Sequence, residues 1–307
     1  MKPSMTLPER LGLRLLNAQG LRSRWLKTSV GRMHAIDGVG RGDLPPIVLM
    51  HGLSANAASY GSYLRRLLPL AERVIAPDMP GHGLSEIPKV GLCSESMLTG
   101  GLEALDQLID RPAILVGNSM GGLGAIRYAL ARPEKVRGLL LVSPGGAPME
   151  SLAFQRFLDS FRVESHAQAL EFVDRMFAKS TPVIRHAFAL GIRDRFSHPE
   201  LRRLIDGLKI EDMLRAEELA QLRVPTLLIW GREERILPRS QLAFFADNLP
   251  EAAEIEEWPN FGHCGFLEQP EGLARRTTAF ACGISHKKCS VSLSTLTGEH
   301  DNLRISA

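Results

Sequence analysis

Residues 113–122 read AILVGNSMGG, an apolar run followed by Gly117-Asn118-Ser119-Met120-Gly121-Gly122. A helical pattern carrying Ala125, Ile126 and Leu130 begins at once after it. A strand that turns sharply into a helix projects the residue at the turn above the sheet edge. It also brings strand and helix so close that side chains two residues either side would collide, and Gly117 and Gly121 stand there. The serine at such a turn is a candidate nucleophile. The competing reading is a glycine-rich turn with an incidental serine, and the rest of the chain has to decide between them. The glycines do not form G-x-G-x-x-G, and no G-x-x-x-x-G-K-S/T occurs, so a nucleotide-phosphate loop is excluded.

Outward from this turn, short β-branched and leucine-rich runs alternate with helical patterns, as in a parallel sheet with crossover helices. Strands are predicted at residues 32–36, 47–51, 73–76, 113–116 and 136–142, and again at 226–230 and 253–258. Residues 147–222 hold no convincing strand and read as successive amphipathic helices; seven of the 12 phenylalanines lie there and none precedes it. Phe154, Phe157 and Phe161 recur at helical spacing, which suits the insertion's own core better than a pocket lining. The expected organisation is one α/β domain at residues 31–146 and 223–283, interrupted by a helical cap at 147–222. A basic helical arm at 1–30 precedes it, and a polar tail at 284–307 follows.

The chain has 307 residues, 44% hydrophobic and 23% charged, which excludes collagen-like, disordered and disulfide-framework classes. A net charge of +3 is too small for a nucleic-acid binder. The excess sits at the start, where residues 1–32 hold Lys2, Arg10, Arg14, Arg22, Arg24, Lys27 and Arg32 against Glu9. Leu7, Leu11, Leu15 and Leu16 recur near helical spacing beside Arg10 and Arg14. Residues 1–28 therefore read either as a helix packed on the body or as an interfacial helix in peripheral contact with a membrane. No apolar run approaches the ~18 residues of a membrane span, and no export signal is evident, so a cytoplasmic protein is expected. Cys93, Cys264, Cys282 and Cys289 form no C-x-x-C pair, which argues against zinc and for reduced thiols.

A serine is a poor nucleophile at neutral pH unless a positioned base takes its proton and a buried acid orients that base. Downstream, the run at 226–230 ends in Gly231-Arg232-Glu233-Glu234, and the run at 253–258 ends in Asn260-Phe261-Gly262-His263. The chain order is thus Ser119, an acid, His263, each at the carboxyl end of its own strand, where a parallel sheet collects its site. That order selects the nucleophile reading of Ser119. Acyl transfer also needs two backbone donors for the developing oxyanion. The candidates are the N–H groups of Met120 and of Leu53 in His51-Gly52-Leu53-Ser54. His51 reads as a prop for that loop, and His82, in the tight turn at residues 78–85, as structural.

Together, His51-Gly52, residues 78–85, 117–122 and 231–238, and Gly262-His263 with Glu268 and Pro270 resemble the successive signatures of the α/β-hydrolase superfamily across residues 30–283. The Ser-Met-Gly-Gly turn, the cap and Ser143-Pro144-Gly145-Gly146 are similar to monoacylglycerol-lipase-like esterases. The resemblance implies an eight-stranded, mostly parallel sheet, a serine nucleophile and no cofactor. The activity it implies is cleavage of carboxylic esters of apolar acyl substrates, with a small molecule as partner and oligomeric state left open. One departure is the acid. The superfamily usually places Asp three residues after the strand-ending glycine, where this chain has Glu234 with Glu233 beside it. Position favours Glu234, and a glutamate can accept the imidazole N–H equally well. Two rivals share the fold. A carbon–carbon hydrolase of meta-cleavage type usually carries a glycine-rich loop where this chain has Leu53-Ser54-Ala55-Asn56. A non-catalytic small-molecule receptor has no need of the complete triad.

Overall fold

Ile47–Met50 and Thr226–Gly231 are apolar at nearly every position and buried throughout, as strands covered on both faces must be. In the computed structural model, which describes residues 5–285, they belong to one eight-stranded sheet. Its strands are β1 (Leu21–Thr28), β2 (Gly31–Val39), β3 (Ile47–Met50), β4 (Arg73–Pro77), β5 (Ala113–Ser119), β6 (Val136–Pro144), β7 (Thr226–Gly231) and β8 (Glu254–Trp258). The spatial order is β1-β2-β4-β3-β5-β6-β7-β8. β2 runs antiparallel to both β1 and β4, and every other pairing is parallel. The fold is that of the α/β hydrolases, as the sequence leads one to expect. β4 lies on one side of β3 and β5 on the other, so the winding direction reverses beside β5. Ligand crevices form at such a reversal.

The helices are α1 (Leu7–Ala18), α2 (Gly61–Leu67), α3 (Ser94–Leu108), α4 (Met120–Ala131), α5 (Ser151–Asp159), α6 (His166–Met176), α7 (Pro182–Phe196), α8 (Pro199–Gly207), α9 (Ala216–Leu219), α10 (Arg239–Asn248), α11 (Gly265–Glu268) and α12 (Pro270–Ser285). α3 packs beside α4, and α2 beside α12. The chain between β6 and β7 is helical, from α5 to α9, and its centre is aromatic. Phe161, Phe172 and Phe196 are buried against one another with ring centroids 5.1–5.8 Å apart, and Phe157 meets Phe161 edge-on at 4.9 Å.

The arm differs from its expected form. Only Leu7–Ala18 is helical; the chain then reverses at Gly20, whose φ is 91°, and Leu21–Thr28 is the edge strand β1. An edge strand is solvated along one side, so β1 buries only Leu21 and Leu26, five residues apart, and Arg22, Ser23, Arg24 and Lys27 leave no apolar alternation to mark it. Its Leu21 and Leu26, with Leu13 and Leu16 of α1, join the core. The polar tail expected at 284–307 lies outside the described residues from 286 onward. Cys93 and Cys264 are free, but Cys282 is disulfide-bonded rather than reduced, because spacing along a chain does not reveal which sulfurs a fold brings together.

Candidate active site

Ser119 sits where β5 becomes α4, with φ 54° and ψ −122°, a backbone conformation that a side-chain-bearing residue rarely adopts. The surroundings enforce it. A Cβ on Gly117 would lie 2.4 Å from the Gly121 carbonyl, and one on Gly121 would lie 2.1 Å from the Met50 carbonyl. Only glycines let α4 lie this close to β5 and β3. The Ser119 carbonyl accepts the Gly145 N–H at 3.0 Å. In a planar trans peptide the following N–H, that of Met120, must then point the other way. As the first residue of α4, Met120 has no intrahelical acceptor for that N–H.

The loop after β3 lies alongside. A Cβ on Gly52 would be 3.1 Å from Ser119 Cβ. The Gly52 carbonyl is gripped twice, by the His51 ring at 2.8 Å and by the Ala55 N–H at 3.2 Å. This fixes the peptide whose far side is the Leu53 N–H. His51 takes the Met79 N–H on Nε2 at 3.0 Å, so its proton is on Nδ1 and donates to Gly52. Burial lowers its pKa, keeping it neutral in that role. It is a prop, and not within the acid–histidine pair. His82 is buried too, donating from Nδ1 to the Pro80 carbonyl at 2.9 Å.

His263 follows β8, and its Nδ1 donates to Glu234 Oε2 at 2.7 Å. The other oxygen of Glu234 accepts the N–H groups of Ile236 at 2.7 Å and Leu237 at 2.9 Å. Burial pushes this carboxyl up, but the imidazole and the two amides outweigh burial and hold it below the usual range, so it is ionised at neutral pH. Glu233 is turned elsewhere. Its Oε2 accepts the Phe261 N–H at 2.9 Å and braces the backbone of the histidine loop.

The structure thus brings Glu234 onto His263, and lays Gly52, the residue before Leu53, beside Ser119, whose next residue in the chain is Met120. Among the described residues no hydrogen bond joins the Ser119 hydroxyl to the His263 ring. Bonds between such a pair tighten as a reacting complex forms. What ties their loops together is Asn118, whose buried amide donates to the Val142 carbonyl at 3.0 Å and the His263 carbonyl at 3.1 Å. Three supports escape sequence reasoning. Asn118 is one, and the bracing role of Glu268 is another: the sequence marks Glu268 only as part of the signature after His263, and it accepts the Gly262 N–H at 2.8 Å. The third is a clasp in which Arg195 of α7 donates to the Ser54 carbonyl at 2.9 Å and pairs with Glu9 of α1, while Glu9 also accepts from the Asn56 amide at 2.6 Å. No local pattern announces it. Among the described residues no group of three or more His, Cys, Asp or Glu side chains is placed to hold a metal ion.

Residues 47–276 match the alpha/beta hydrolase family. A pimeloyl-(acyl-carrier protein) methyl ester esterase from Yersinia enterocolitica is 32% identical over 259 residues, covering 79% of this chain and 95% of that one. A 2-hydroxy-6-oxo-6-phenylhexa-2,4-dienoate hydrolase from Burkholderia cepacia is 28% identical over 269 residues, covering 81% and 91%. Among solved structures, a bacterial membrane phospholipase A superposes with a TM-score of 0.77 at 22% identity, covering 92% of this chain and 93% of that one. At that identity the likeness is one of fold.

Proposed function

The chain belongs to the alpha/beta hydrolase family, and from this premise we propose that it is a serine hydrolase cleaving carboxylic esters of apolar acyl substrates. Ser119 Oγ attacks the ester carbonyl and passes its proton to His263 Nε2, while the N–H groups of Leu53 and Met120 receive the oxyanion. His263 then protonates the departing alcohol, leaving an acyl-Ser119. A water molecule, deprotonated by His263, releases the acid and restores the hydroxyl. Glu234 keeps the proton of the imidazole on Nδ1 and steadies its positive charge without taking the proton itself.

The observation that carries this reading is the 2.7 Å Glu234–His263 pair at the ends of β7 and β8, in a loop that Asn118 ties to the strained turn holding Ser119 at the end of β5. The test is Ser119→Ala, assayed on p-nitrophenyl esters together with labelling of the wild type by a fluorophosphonate probe. Loss of hydrolysis and stoichiometric labelling of Ser119 are expected. Hydrolysis at the wild-type rate by the alanine variant would overturn the mechanism, and a wild type that neither labels nor hydrolyses would turn the reading towards a receptor.

A second reading, the carbon–carbon hydrolase of meta-cleavage type, is favoured by the Burkholderia relative, which is named as the hydrolase of a dienoate. The same serine, histidine and glutamate would serve it. Against it stands the loop Leu53-Ser54-Ala55-Asn56, which has no glycine after Gly52. Turnover of a coloured ring-cleavage dienoate compared with a panel of acyl esters separates the two, and faster turnover of the dienoate would install the second reading.

A further inference from the structure

Leu7, Leu11 and Leu15 recur every fourth residue along α1 and are 80%, 56% and 56% exposed, while Leu13 and Leu16 on its inner side are buried. α1 adjoins the cap helix α7. A Cβ on Gly191 of α7 would lie 3.9 Å from Thr6 Cγ2 at the start of α1, and Arg195 one turn later is paired with Glu9. Next to Gly191, the outer face of α7 presents Leu190 and, two turns back, Val183, which are 57% and 80% exposed. Two adjoining helices, one from the arm and one from the cap, therefore each carry exposed apolar side chains on either side of their contact at Thr6 and Gly191. Apolar side chains gathered in this way, unlike singly scattered leucines, mark a contact site.

The charges around it are mostly of one sign. Arg10 and Arg14 are exposed between the leucines, and Arg193 is exposed on α7 with Asp194 as its counterweight. Residues 1–20 contain one acidic side chain, Glu9, and it is turned inward. Its carboxylate receives the Thr6 N–H and hydroxyl, the Asn56 amide and the Arg195 guanidinium. The exposed charges of α1 are then the arginines Arg10 and Arg14, beside the leucines. A second copy of the chain meeting this face across a two-fold axis would set Arg10 and Arg14 against their own equivalents. A bilayer with anionic headgroups has the complementary arrangement: leucines settle at the acyl boundary while guanidinium groups reach back to the phosphates. Among the described residues no helix is long and apolar enough to cross a membrane, so the contact would lie in the plane of the surface.

We propose that the face made by α1 and the outer side of α7 docks on an anionic lipid bilayer. The inference goes beyond the catalytic reading and does not depend on it. Its consequence for catalysis is geometric, since the Glu9–Arg195 pair and the Arg195–Ser54 bond tie the docked face to the loop beside Ser119. The cap and the site then ride together on the phase into which apolar esters partition.

The full-length chain is to be sedimented with vesicles of phosphatidylcholine alone and of phosphatidylcholine mixed with phosphatidylglycerol. Wild type is expected to pellet with the mixed vesicles, less so at high salt. Leu7→Ser, Leu11→Ser and Leu15→Ser combined should lower the partition coefficient about tenfold or more, and Arg10→Glu with Arg14→Glu should abolish the preference for phosphatidylglycerol. Far-ultraviolet circular dichroism and hydrolysis of a short soluble ester should be unchanged in both variants, which separates loss of docking from loss of fold. Wild type that stays in the supernatant with both vesicles overturns the proposal, as does a leucine variant that binds like wild type. A dimer dissolved by the leucine substitutions, in a chain that ignores vesicles, would give the face to a second copy instead. Labelling of Ser119 by the fluorophosphonate reports on the catalytic reading independently of every one of these outcomes.

Discussion

Glu233 and Glu234 carry the same functional group on adjacent residues, and the turn after β7 sends them to different tasks. Glu234 meets the His263 ring at 2.7 Å and two backbone amides; Glu233 meets a backbone N–H of the histidine loop at 2.9 Å. Glu234→Gln should therefore lower kcat by roughly 10²–10⁴-fold with little change in melting temperature, since an amide can hold the ring in the wrong tautomer and cannot balance its charge. Glu233→Gln should leave kcat within a few-fold of wild type and cost roughly 1–2 kcal/mol of stability through the weakened loop brace. Steady-state rates on a p-nitrophenyl ester, measured beside urea denaturation, check both. A large rate loss confined to Glu233→Gln would reassign the acid. The sequence could place an acid after β7, because strand-end position is legible from the apolar run before it. Choosing between the two glutamates on contact rather than position needed the path of the turn, which no residue pattern encodes.

Between elements, the loop after β3 is held from several directions. His51 and Ala55 grip the Gly52 carbonyl, Asn56 reaches Glu9 on α1, and Arg195 reaches Ser54 from α7. The last of these makes a cap helix responsible for the shape of a site on the sheet edge. Arg195→Ala should leave the loop free to sample other arrangements of the Leu53 N–H. Removing an oxyanion donor outright costs about 10²–10³-fold in kcat, and a loosened one should cost less, roughly tenfold, with KM nearly unchanged. Arg195→Lys, which keeps a donor and a charge, should recover part of that loss. Equal falls in kcat/KM through KM alone would place Arg195 in substrate binding instead. Elements differ in legibility for a physical reason. Strands covered on both faces, such as β3, β5 and β7, need apolar residues throughout and stand out at once. β1 is solvated at the sheet's edge, and its arginines and lysine let it read as a continuation of α1. The clasp joins residues 9, 56 and 195, and nothing at any one of these positions points to the other two.

Across the whole molecule, the carboxyl edge of the sheet rests on a buried polar layer. Asp78 accepts the Ala57 and Leu84 N–H groups at 2.7 and 2.9 Å and the His34 ring at 2.7 Å. His51 lies 5.3 Å from His82, ring to ring. This layer makes stability depend on pH with a definite sign. Burial and the neighbouring His51 lower the pKa of His82 to about 3, so it stays neutral in the folded protein over the whole mildly acidic range. The unfolded chain takes up a proton there near the ordinary value of 6.5. Stability is therefore complete above that value and declines as pH falls towards 3, at about 1.4 kcal/mol per pH unit for each such histidine. His51, lowered by its own burial, adds to the same decline, whereas Asp78, also held low, contributes stability above the ordinary 3.8 that is lost only below it. His82→Gln keeps an N–H for the Pro80 carbonyl and removes one titrating group. Between pH 6 and 4 it should flatten the plot of unfolding free energy against pH by about one proton's worth, leaving the slope due to His51. Urea midpoints taken across that range measure it. An unchanged slope would mean that His82 already carries its proton in the folded protein, and the layer beneath the Gly52 loop would then have to accommodate a charge beside His51.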